Sequence, residues 1–140
     1  MIHYIETAAQ NFSSHQLQAS FEKINQLPKV RTFIAYIDVA MLSGESKRVY
    51  LACDEALLKE IAKLFLGEDI TDEETLKDFA LETANMVIGS AKVIAEEENV
   101  VPFSIGTPIF EKFDYFDLPS DDQSILSINE HTVIIATKEL

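Results

Sequence analysis

The sequence predicts an α/β (α+β) fold of one domain over residues 1–140, with a mixed sheet of hairpin strands packed against two or three helices. Three observations predict it. β-branched and aromatic residues cluster in two pairs of short runs, each pair joined by turn residues. Two further runs carry helical apolar spacing behind good N-caps, and the longer covers about residues 72–98. At 140 residues and 47% hydrophobic, the chain can build one real core.

Taken in order, Phe12, Leu17, Phe21, Ile24 and Leu27 approximate helical spacing and predict helical patches up to Pro28, which stops the run. Thr32–Val39 reads as a strand, Ser43-Gly44-Glu45-Ser46 as a turn, and Arg48–Cys53 as the returning strand. Asp54 caps a helix bearing Leu57, Leu58, Ile61, Leu64 and Phe65, and Gly67 ends it. Thr71 and Glu74 have the spacing of a capping box, which opens the long helix. Val100–Phe110 reads as extended chain and Phe113–Asp122 as a loop. Ser124–Ile128 and Thr132–Thr137 predict a closing hairpin around Asn129-Glu130-His131. The apolar closing strand needs a cover, which packing within the chain would supply as well as another molecule at a sheet edge.

Composition narrows the function. No apolar run approaches the roughly 18–20 residues that span a bilayer, and the first ten residues lack the pattern of a secretory signal. A net charge of -13 with no basic cluster disfavours nucleic acid and small anionic substrates. The lone Cys53 reads as a small buried apolar residue, and a reducing cytoplasm suits it. His3, His15 and His131 are scattered and share no metal-ligand spacing, so no metal and no bound cofactor is expected. Neither a phosphate-binding glycine loop nor a nucleophile elbow occurs.

The long helix carries the chemistry. At about 100° per residue, Leu76, Ala80, Ala84, Val87, Ala91 and Ile94 share one broad face, and Asp78, Glu82, Asn85, Gly89, Lys92 and Glu96 form a stripe opposite. Such a stripe can be a solvated face and nothing more. Two features argue otherwise. Glu82 and Asn85, three positions apart, point the same way with Cβ atoms about 5–6 Å apart. Gly89 costs a helix interior about 1 kcal/mol relative to alanine, which calls for another group to approach closely there. Glu22–Asn25 and Glu96–Asn99 repeat the spacing, but at places where a helix runs out.

The pattern Asp78-x3-Glu82-x2-Asn85-x22-Pro108 resembles the signature of the CheC/CheX family of chemotaxis phosphatases. Leu81–Gly89 is similar to that family's helix, and Gly106-Thr107-Pro108 to its later strand. A looser likeness runs from Phe33 to about Phe110. The resemblance implies a single CheX-like domain and a cytoplasmic phosphatase acting on the aspartyl phosphate of a CheY-type response regulator, with Mg2+ held by that partner. Asn85 would orient the attacking water and Glu82 would pair with the partner's active-site lysine. Asp78, Gly89 and Lys92 would help dock the partner, and Pro108 would shape the strand under the helix. The single mid-helix site is similar to CheX, whose members form homodimers by sheet edges, rather than to CheC with its two sites. A non-catalytic receiver-binding module of the flagellar-switch type is the alternative.

Overall fold

The structure, a computed structural model, describes residues 1–98 and 103–140. Seven strands form one sheet in the order β1-β6-β7-β3-β2-β4, with β5 also paired to β2. They are β1 (Phe21–Ile24), β2 (Arg31–Met41), β3 (Ser46–Asp54), β4 (Phe103–Ile105), β5 (Ile109–Tyr115), β6 (Asp122–Ile128) and β7 (His131–Glu139). Three helices, α1 (Ile2–Asn11), α2 (Glu55–Leu66) and α3 (Glu73–Glu97), accompany them, and α1 runs on into a π-helical segment, Phe12–Leu17. Every strand pairing is antiparallel, so the expected mixed sheet is antiparallel throughout.

Alternation along the strands sorts the two faces. Phe33, Ala35, Ile37 and Val39 of β2, with Leu51 and Cys53 of β3, join the core shared with the three helices. Ile34, Tyr50, Ala52, Ile125, Ile134 and Ala136 point the other way, under Phe116 and Leu118 from the β5–β6 connection.

The caps follow the side chains available. Asp54 Oδ1 accepts the N–H of Leu57 at 2.8 Å, while its Oδ2 accepts that of Thr132 at 2.6 Å, tying α2 to β7. Gly67, at φ 75°, closes α2 in the left-handed region as expected. At α3 the cap is Asp72, not Thr71: Asp72 Oδ2 accepts the N–H of Thr75 at 2.9 Å and its hydroxyl at 2.6 Å. The aspartate caps one residue later than the expected capping box, and Thr75 returns to its carboxylate where a capping box would return to the N–H of the cap.

Other expectations are corrected. Phe21–Ile24 is a strand rather than helix, since Phe21 registers with Ile128 and Ile24 with Ile125. Phe113–Tyr115 continues β5 instead of opening a loop, held against Arg31–Phe33. His131 belongs to β7; the turn is Asn129-Glu130, with φ 52° and 69°, the left-handed pair that a two-residue hairpin requires. The closing strand is no edge: β7 lies between β6 and β3, so its apolar residues are covered within the chain. The expected extended start at Val100–Pro102 lies outside the described residues.

Candidate functional site

The helix α3 is anchored by Leu76, Ala80, Thr83, Ala84, Val87, Ile88, Ala91 and Ala95, all buried. Small residues dominate this face, letting the helix lie close on the sheet, and the anchoring runs nearly its whole length. The opposite side is thereby fixed toward solvent. Asp78, Glu82 and Asn85 are exposed there, while Gly89 and Lys92 are partly exposed. Asp78, Glu82, Asn85 and Gly89 thus lie along one ridge, as the periodicity predicts.

The side-chain bonds that α3 makes along its length sit in its first turn, Asp72 with Thr75 and Glu74 with Lys77. Among the described residues, no hydrogen bond or ion pair engages the side chains of Asp78, Glu82 or Asn85. Hydrogen bonds from Thr75 hold the Asp72 carboxyl below its ordinary range, so the cap is ionised and complements the positive end of the helix. The stripe has no such partner. A carboxylate and a carboxamide one turn apart are left with all their donor and acceptor capacity for another molecule.

Gly89 is explained differently from the expectation. A Cβ built there meets nothing within 4 Å, so no part of this chain makes the close approach. The space is a cleft of about 660 Å³ beside α3, which Asn85, Gly89 and Ser90 line on one side and Asn11, His15 and Gln16 on the other. Sequence reasoning missed that second wall. His15 carried no ligand spacing, and nothing local marks Phe12–Leu17 as a π-helical turn.

Pro108 lies directly before β5, at a break in an edge. Both β4 and β5 pair with β2, at Val39–Met41 and Arg31–Tyr36, and Gly106–Pro108 fills the gap between them. Gly106 donates its N–H to the carbonyl of Asp38 at 2.9 Å, holding the break against β2. A proline suits the interruption because it has no N–H to offer an outer strand.

The remaining candidates separate from this ridge. Glu22 lies in β1, so Glu22–Asn25 is not a helical pair at all; Asn99 of the third pair lies outside the described residues. Cys53 is buried, and loss of hydration pushes its thiol up to about 12, with the nearby Asp54 charge adding to the effect. His131 faces Glu60 at 3.0 Å, across the fold's α2–β7 corner. Among the described residues no cluster of three or more His, Cys, Asp or Glu could hold a metal ion, and no helix is long and apolar enough to cross a membrane.

Comparison with known proteins bears on the fold and the family. The chain is similar in structure to the chemotaxis protein CheX from Vibrio vulnificus, with a TM-score of 0.83 at 19% identity, covering 99% of this chain and 95% of that one. It is similar to CheX in the CheX–CheY–BeF3–Mg2+ complex from Borrelia burgdorferi, with a TM-score of 0.68 at 15% identity and coverage of 98% and 97%. FliY of Thermotoga maritima matches less well, with a TM-score of 0.57 at 17% identity and coverage of 95% and 83%. No curated protein matches by sequence. The family model described as chemotaxis phosphatase CheX matches residues 36–126, well over half of the chain and the whole of α3. The chain therefore belongs to the CheX family of chemotaxis phosphatases.

Proposed function

We propose that Glu82 and Asn85 are the working residues of this phosphatase, which accelerates hydrolysis of the aspartyl phosphate on a CheY-type response regulator. One observation carries the assignment. A carboxylate and a carboxamide stand one helical turn apart, both exposed and unengaged among the described residues, on a helix whose other face is buried along its length.

Hydrolysis of an acyl phosphate needs a positioned water and compensation of charge more than it needs a covalent partner. Asn85 reaches into the receiver's site and hydrogen-bonds the water in line with the phosphorus. An amide accepts from the water and donates without bringing negative charge beside a phosphoryl group. Glu82 pairs with the receiver's active-site lysine and fixes orientation; as a base beside phosphate it would meet like charge. Asp78 and Lys92 contact the partner on either side of the pair, and Gly89 admits it closely. Pro108 keeps the strand beneath α3 in shape.

Mg2+ belongs to the receiver, in keeping with the composition of the Borrelia complex. Residues 1–140 act as one CheX-like domain in the cytoplasm. The chain pairs as a homodimer through its β4–β5 edge, where Ile109 and Tyr115 are about half exposed, rather than through the interior β7. Sedimentation equilibrium tests the dimer: a monomer at micromolar concentration rejects it. The non-catalytic scaffold reading is not favoured, because the matching family model is that of a phosphatase.

The test is phosphate release from a receiver labelled with acetyl phosphate and Mg2+. Asn85→Ala lowers the accelerated rate about 100-fold while retaining some binding, and Glu82→Ala weakens both rate and binding. Full activity in Asn85→Ala rejects the assignment.

A further inference from the structure

The ridge on α3 is too small to hold a partner alone. From Asp78 to Gly89 it runs about 17 Å along a helix about 10 Å across, a footprint of about 170 Å². A specific protein contact uses about 800 Å² on each side, and transient encounters several hundred. The receiver must therefore rest on a flank of α3. The flank that shares residues with the ridge is the 660 Å³ cleft, since Asn85 and Gly89 line it.

The far wall of that cleft is braced by hydrogen bonds. Ser13 is fully buried and donates its hydroxyl to the carbonyl of Ala19 at 3.2 Å, while the N–H of Ala19 donates back to Ser13 at 3.0 Å. Gln18, at φ 50°, closes the turn. The result is a π-helical corner that presents Asn11, His15 and Gln16, all exposed, across the cleft from Asn85. π-helical turns of this kind recur at functional sites.

The chemistry of the wall fits one occupant. An aspartyl-phosphate site with its Mg2+ is built from carboxylates, and this chain carries a net charge of -13. Two acidic surfaces repel unless neutral groups meet where they touch. Two amides and an imidazole bring no negative charge to that wall, with Glu97 the acid lining the cleft. Resting on the assignment of Glu82 and Asn85, we infer that the receiver docks in this cleft and that His15 and Gln16 hold it there as specificity-determining contacts.

Steady-state phosphate release from a CheY-type receiver, phosphorylated with acetyl phosphate and Mg2+, separates the two claims. The double variant His15→Ala with Gln16→Ala should raise KM at least fivefold, with kcat falling no more than twofold, whereas Asn85→Ala loses kcat. Asn11→Trp, which fills the cleft from α1, should also raise KM at an unchanged thermal midpoint. An unchanged KM in both the double variant and Asn11→Trp, or a loss confined to kcat, overturns the cleft as the docking site even if Asn85→Ala is inactive. Full activity of Asn85→Ala overturns instead the assignment beneath it.

Discussion

The backbone N–H of Gly106 donates to the carbonyl of Asp38 at 2.9 Å, and a Cβ built on residue 106 would stand only 3.2 Å from that same oxygen. The obstacle is backbone of β2, which cannot swing aside as a flexible side chain would. Gly106→Ala should therefore cost about 1–2 kcal/mol of stability, the range of modest overpacking. Urea unfolding with an unchanged m-value checks it; a midpoint equal to that of the unmodified protein contradicts it.

Gly89 is the opposite case, with open space where its Cβ would be. Gly89→Ala should stabilise the free chain by about 0.5–1 kcal/mol, because alanine is the better helix former. The same change should impair dephosphorylation if the partner passes over residue 89. A variant that melts higher and works worse is the expected outcome; one that melts higher and works equally well removes Gly89 from the partner contact.

Asp54 joins two elements through one carboxylate, accepting from Leu57 and from Thr132. Asp54→Ala removes an N-cap and leaves the N–H of Thr132 without its partner, at a combined cost of about 2–3 kcal/mol. Thermal and urea midpoints measure it, and a loss below half a kcal/mol would contradict the double role.

The cap at α3 gives a pH dependence whose sign is fixed. Hydrogen bonding by Thr75 lowers the Asp72 carboxyl in the folded chain from its ordinary 3.8. Its contribution is complete above that unfolded value and disappears as pH falls through the lower folded one. The stability gap between the unmodified chain and Asp72→Ala should be constant between about pH 6 and pH 5 and should narrow below about pH 4. A gap that widens on acidification would contradict the cap.

How much of this was legible in the sequence depends on where each signal resides. α2 and α3 were readable because their instructions are local: Asp54 before α2 and the Thr71–Glu74 spacing one residue off the true cap of α3, an apolar period within each, and Gly67 after α2. The ridge was readable for the same reason, since Asp78, Glu82, Asn85 and Gly89 share one helix. β1 was not, because Phe21 and Ile24 fit a helical period as well as a strand, and their choice is made by distant Ile128 and Ile125. Phe113 likewise looked like loop until its ring stacked on Phe33 at 4.2 Å under the guanidinium of Arg31. The second wall of the cleft was hidden most completely. It begins more than sixty residues before Asn85 in the chain and meets it only once α1 packs on α3.

The burial of α3 from Leu76 to Ala95 has a consequence for recognition. Folding has already met the entropic cost of ordering the backbone that carries Glu82 and Asn85, so only their side-chain rotamers are left to fix at encounter. Such a tool discriminates by hardness of shape: a mismatched receiver is refused because the protein does not mould itself around it.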